Sequence, residues 1–370
     1  MSIFVAYAAL GLMAVTPIYL GSFGALPKPK KEKKTVKGDE YESDSETEEA
    51  AEVLSSEDAK MFPIYGSVTL FSMYLVFKFL NKEYVNYLIT AYFAIMGCTA
   101  VTSFSATIFK AATKMKLPSY HIHLTKQAKE LYHLRFSNIH IGAFIGSFLL
   151  TIYYVATKNW IASNIYGIAF AMGAIRLINL DSFRTGLILL GGLFFYDIFW
   201  VFGTEVMVSV AVNFDAPIKV TFPRSVFELF TAAAPRFTML GLGDIVIPGI
   251  FVALCLRFDH AMALERASAK KDVAKEYIKV KNYPTPYFNA CFIAYVVGLL
   301  TTFVVMHTFK AAQPALLYLS PACGLAPVIL AIKNGELKKL FEYKTETEEE
   351  SGEKATPEEK AGESSVKQEE

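Results

Sequence analysis

Apolar runs of about 20 residues recur along the chain between short polar stretches, and about 20 residues is what a helix needs to cross a bilayer. The pattern predicts spans at 2–26, 61–80, 85–109, 136–157, 159–178, 184–212, 239–258, 287–309 and 313–333. Nine spans make an all-α, polytopic membrane protein. The run 184–212 is longer than one bilayer requires and is expected to tilt. Between the first two runs lie Lys28, Lys30, Lys31, Lys33, Lys34 and Lys37, followed by acids and serines over 39–58. That is the composition of a disordered linker, and the Glu-, Lys- and Ser-rich tail reads the same way. The chain therefore divides into a first span (1–26), a disordered cytosolic linker (27–60), a membrane-embedded core (61–342) and a disordered cytosolic tail (343–370). In the loop 213–238, residues 216–223 read as a short extended segment bounded by prolines.

Charge sets the direction of the spans. Counted on alternate sides, 29 of the 36 Lys and Arg fall on one side and 7 on the other. Basic residues are retained in the cytosol, and short loops dominate the effect. Loops 110–135 and 257–286 are basic, whereas 81–84 and 310–312 are nearly bare. The N-terminus is thus expected in the lumen or outside, and the C-terminus in the cytosol.

Composition adds limits. The chain is 53% hydrophobic and carries a net charge of only +1, with no basic face for nucleic acid. Cys98, Cys255, Cys291 and Cys323 lie far apart in apolar runs, without a CxxC pair or disulfide framework, and read as packing residues. His121, His123 and His133 share a loop but lack acids and ligand spacing, so no metal site is expected. His307 near a span end reads as interfacial. No N-x-S/T sequon occurs.

The candidate chemistry rests on two acids inside apolar runs. A carboxylate at membrane depth costs about 2.5 kcal/mol or more, so it usually faces a cavity or a partner. Asp197 lies about mid-way along 184–212, and Asp244 near the start of 239–258. Two adjacent carboxyls share a proton because both cannot easily ionise. The ionised one can then activate water as general base, while the protonated one donates toward the substrate carbonyl and amine. Gly241 and Gly243, flanking Leu242, permit an irregular backbone where a span lines a watery cavity; the plainer reading is close helix packing. Gln313, Pro314, Ala315 and Leu316 open the last span, and with Pro321, Gly324 and Pro327 that span reads as broken. An irregular wall there would hold an unwound substrate as an added strand; the plainer reading is a kinked helix. Tyr196 is either a hydrogen-bonding neighbour of the acids or a core aromatic.

Tyr196-Asp197, Gly241-Leu242-Gly243-Asp244 and Gln313-Pro314-Ala315-Leu316 together resemble the three signatures of the GxGD intramembrane aspartyl proteases, the presenilin and signal peptide peptidase superfamily. The resemblance covers roughly 61–340 in order and spacing. It implies a presenilin-like fold of nine spans and an endoplasmic-reticulum enzyme that needs no cofactor. The implied substrates are leftover signal peptides and other type II-oriented membrane segments. Presenilin relatives carry a long cytosolic insertion between the acid-bearing spans and are oriented oppositely; here loop 213–238 is short and on the luminal side. The chain departs from the pattern at Glu205, where an amide is expected, and in its tail, where Lys367 lacks the second lysine of a retrieval signal.

Two other classes compete. Intramembrane acids and broken helices also mark proton-coupled transporters and channels. A membrane scaffold that binds signal peptides and endoplasmic-reticulum quality-control proteins is compatible with catalysis, as is a homo-oligomer.

Overall fold

The structure, a computed structural model, describes residues 2–26, 52–113, 119–126, 129–214, 216–224, 236–268, 283–309 and 313–345. Its helices are α1 (Ser2–Gly24), α2 (Ser56–Phe79), α3 (Lys82–Thr113), α4 (Asn138–Thr157), α5 (Trp160–Leu177), α6 (Phe183–Phe202), α7 (Val206–Asn213), α8 (Gly243–Ser268), α9 (Pro286–Phe309), α10 (Leu316–Asn334) and α11 (Leu337–Glu342). Among the described residues nine of these, all but α7 and α11, are long and apolar enough to cross a membrane. Three two-stranded sheets accompany them. They pair β1 (Glu52–Leu54) in parallel with β4 (Ile178–Leu180), β2 (Ser119–Lys126) with β3 (Lys129–Ser137), and β5 (Lys219–Pro223) with β6 (Phe237–Gly241).

Helix α8 is the axis of the bundle. Its Phe251, Val252, Leu254, Cys255, Leu256 and Phe258 are wholly buried, and α1, α5, α9 and α10 pack around it. The four cysteines are free and buried, as read from the sequence. Helices α3 and α4 pair at the periphery, and α2 lies against α6 and α7.

Two polar anchors tie one end of the bundle. The buried Asp259 accepts the N–H groups of Tyr287 (3.3 Å) and Phe288 (2.8 Å), capping the first turn of α9, whose amides have no partner inside the helix. The buried Arg257 donates to the carbonyl of Ala25 (3.2 Å) and to the Asn179 side chain, joining α8 to α1 and β4.

Several sequence expectations need correction. The run 184–212 is two helices, not one tilted span. Helix α6 stops at Phe202, and the Thr204 hydroxyl donates to the Trp200 carbonyl (3.1 Å), taking the acceptor that a continuing helix would offer to its own amide. The run 239–258 does not start as a helix; 237–241 is a strand because β5 supplies a pairing partner, and the helix begins at Gly243. The last span is not broken. Pro321 and Pro327 lie inside a continuous α10, and only 313–315 are irregular; neighbouring helices make such prolines tolerable in a membrane.

The linker is shorter than expected at its distal end. Residues 27–51 lie outside the described residues, but 52–54 are strand, and α2 opens at Ser56. Ser55 and Asp58 form a capping box there, Asp58 N–H donating to Ser55 Oγ (3.3 Å) and Ser55 N–H to Asp58 Oδ2 (3.1 Å). Within 110–135 the chain makes the β2–β3 hairpin, where His123 and His133 are register partners. Of the tail, Thr345 is anchored, donating from its N–H to the Asp181 carbonyl (2.8 Å) and from its hydroxyl to that of Leu180 (2.7 Å). Residues 346–370 lie outside the described residues.

Candidate active site

Asp197 sits in the second half of α6 and is 5% exposed. Its Oδ2 accepts the backbone N–H of Leu316 at 3.0 Å. That amide belongs to the first turn of α10, where N–H groups lack helical partners and carry the positive end of the helix dipole. The last signature therefore reaches the first acid through a backbone group. Pro314, Ala315 and Leu316 are buried, and Gln313 is half-buried. On the other flank, Trp200 Nε1 donates to Ser67 Oγ (3.0 Å), fixing α6 to α2. Tyr196 is half-buried with its ring against Gly66 of α2, where an added Cβ would stand 3.5 Å away. Among the described hydrogen bonds none joins Tyr196 to either carboxylate.

Asp244 arrives by a different route. Strand β5 pairs with β6 from Lys219↔Gly241 to Pro223↔Phe237, and Leu242 N–H donates to the Ile218 carbonyl (2.9 Å), prolonging the ladder to the helix start. The outer edge of β5 is closed by Asn164 of α5. Its Nδ2 donates to the Thr221 carbonyl (2.7 Å), and its Oδ1 accepts the Thr221 N–H (2.8 Å). Gly167, one turn on from Asn164, lets the sheet approach α5. A Cβ there would stand 3.4 Å from both Leu242 Cδ2 and Val220 Cγ1. Asp244 lies in the first turn of α8, partly exposed, and the helix dipole favours a carboxylate at that end. The motif glycines differ. A Cβ at Gly241 would stand 3.3 Å from Asp244 Oδ2, whereas one at Gly243 would meet nothing within 4 Å.

The geometry thus joins the segment 313–316 to Asp197 and sets α6 against α8, whose first turn carries Asp244. While Asp244 lies in that first turn of α8, Asp197 lies in the last third of its helix and not mid-way along a 29-residue span, because α6 stops at Phe202. Glu205 is not on that helix. It is the first flanking residue of α7 and lines an open cavity of about 620 Å³ with Val201, Phe202, Gly203, Thr204 and Ser209. Among the described residues no group of three His, Cys, Asp or Glu side chains is placed to hold a metal ion.

The irregular wall expected at 313–316 is in part already bonded. Leu316 N–H goes to Asp197, and the Pro314 and Ala315 carbonyls accept from Leu317, Tyr318 and Leu319. An open edge also lies on β6. Because Asn164 holds both polar groups of Thr221, the pair Thr221↔Met239 exchanges no ladder bonds, so the N–H and C=O of Met239 point away from β5. By alternation those of Gly241 do so too, three residues before Asp244. Met239 is 50% exposed. The sequence carried one signal for this arrangement, the lone Asn164 in the apolar run 160–171.

The sequence profile of the signal peptide peptidase family matches residues 45–347. The chain is 39% identical to signal peptide peptidase of Mus musculus, over 98% of this chain and 87% of the mouse protein. It is 38% identical to that of Homo sapiens, over 91% of this chain and 83% of the human one. A Schizosaccharomyces pombe protein named as a probable intramembrane protease is 38% identical, over 85% of this chain and 92% of its own length. These likenesses support proteolysis and not the transporter or channel. With both chains covered nearly end to end, the chain belongs to the signal peptide peptidase family of intramembrane aspartyl proteases.

Proposed function

We propose that Asp197 and Asp244 are the acid pair of this protease, and that it cleaves signal-peptide remnants and other type II-oriented transmembrane segments in the endoplasmic-reticulum membrane. One observation carries the reading: two acids, Asp197 and Asp244, sit on spans in direct contact, with a strand edge that has no partner among the described residues ending three residues from Asp244. A transmembrane helix hides its peptide bonds in its own hydrogen bonds and must unwind before attack. The edge of β6 offers the unwound piece N–H and C=O groups to pair with, which replaces the bonds it loses. Added there, the piece runs toward Asp244. One carboxylate then takes a proton from water while the other, protonated, donates to the carbonyl oxygen and later to the leaving amine.

The charge asymmetry supports a luminal N-terminus and a cytosolic C-terminus. In that frame β5, β6 and both acids sit toward the lumen. Signal peptides are the partner class named for the mouse and human relatives; the proposal extends to a homo-oligomer and to quality-control proteins as further partners.

The test uses the full chain in proteoliposomes with a labelled, type II-oriented signal peptide. Wild type cleaves it, a transition-state-analogue aspartic protease inhibitor blocks cleavage, and Asp197→Asn and Asp244→Asn each abolish it in folded protein. Cleavage by either variant refutes the pair.

A further inference from the structure

Glu205 carries a charge that no neighbour among the described residues answers. It stands in the gap between the end of α6 at Phe202 and the start of α7 at Val206. Its side chain is exposed and makes no cap bond to the first amides of α7. The ion pairs among the described residues lie elsewhere, and Lys82, the cation tied to α7, is bonded to Asn213 at the other end of that helix (2.9 Å). The carboxylate opens instead on the cavity of about 620 Å³ that it lines with Val201, Phe202, Gly203, Thr204 and Ser209.

That cavity begins one turn past the first acid. Val201 is four residues beyond Asp197 on the same unbroken helix, and residues four apart are neighbours on one face. The step along the axis is about 6 Å. A chain leaving the acid in extended form covers about 3.3 Å per residue, so its second to fourth residues come level with the cavity. The lining suits one kind of side chain. Val201 and the exposed Phe202 offer apolar surface to an aliphatic stem. The Phe202 ring attracts a cation, and the Glu205 carboxylate accepts hydrogen bonds from a charged head. Lysine and arginine supply the stem, the charge and the donors. An acidic side chain meets repulsion in the same place.

We infer that Glu205 is a specificity-determining residue: it receives a lysine or arginine side chain lying two to four residues beyond the scissile bond on the luminal flank of the substrate. The flank is luminal because α6 ends toward the lumen, and it follows the cut in a type II-oriented segment. The inference rests on the acid pair and on that orientation.

The test uses the full chain in proteoliposomes with signal-peptide substrates that differ at one position. Lys, Gln or Glu is placed in turn at the second, third and fourth residues after the cut, and at the matching positions before it. In wild type, kcat/KM is expected to fall about threefold from Lys to Gln, and by a similar factor from Gln to Glu, at one or more positions after the cut; that is the size of a partly exposed ion pair. Glu205→Gln is expected to bring the Lys-to-Gln ratio to about one, and Glu205→Lys to reverse the order in favour of Glu. Ratios taken within one enzyme cancel any change in the amount of folded protein. A Lys-to-Gln ratio near one at all three positions in wild type overturns the inference. So does an order that survives in Glu205→Gln or fails to reverse in Glu205→Lys, or one that depends on Glu205 only before the cut. Cleavage by Asp244→Asn would instead overturn the acid pair, a result read in a separate variant.

Discussion

Asp197 and Asp244 bring the same functional group to one place from opposite surroundings. Asp197 is deep in a helix of which 39% of the apolar window is buried, leaving Phe195, Phe199 and Phe202 exposed along its outer face. Asp244 is partly exposed, but its helix is 78% buried over its apolar stretch. The two solve the same problem differently. Asp244 is located by packing, from a central helix and from a strand bound to β5 and thence to Asn164. Asp197, on a more loosely held helix, is located by a hydrogen bond from the first turn of α10. An active site between spans can thus combine one rigid wall with one tied at two points, through Asp197 to α10 and through Trp200 to α2.

If the two acids work as one unit, the largest effect is non-additive. Asp197→Asn and Asp244→Asn should each lower turnover by about 10⁴-fold, and the double variant should lose no more; a further large drop in the double would mean separate roles. On the Asp244 side, Gly241→Ala puts a methyl against Oδ2 and should cost about tenfold in kcat through misplacement. Met239→Pro removes one outward N–H without breaking a β5–β6 bond. It should lower kcat/KM for a helical substrate about fivefold, the worth of one hydrogen bond, with Met239→Ala near wild type. Gly243→Ala should change kcat by less than about twofold, since its added methyl meets nothing. Reversal of the two glycine effects would show that β6 moves during the reaction.

Much of this was legible in the residues. Both acids, their glycines, the segment 313–316 and the number of spans follow from apolar run lengths and from polar residues inside them. What escaped was what depends on distant partners. Met239 and Leu240 look like the start of a span, because pairing with 219–223 is invisible in a local pattern. The role of Leu316 is carried by its backbone, to which side-chain identity gives no clue. Gly203 and Thr204 offered a sign that α6 ends early, but the surrounding apolar run masked it.

The Asp259 cap has a consequence for mutational screens. An assay that ranks every acidic position by lost product would place Asp259 beside the true pair, since without it the amides of Tyr287 and Phe288 are stranded and α9 comes loose from α8. Size-exclusion profiles and binding of an active-site probe would unmask it as a clasp whose removal spoils the enzyme by collapse, with its chemistry intact until then.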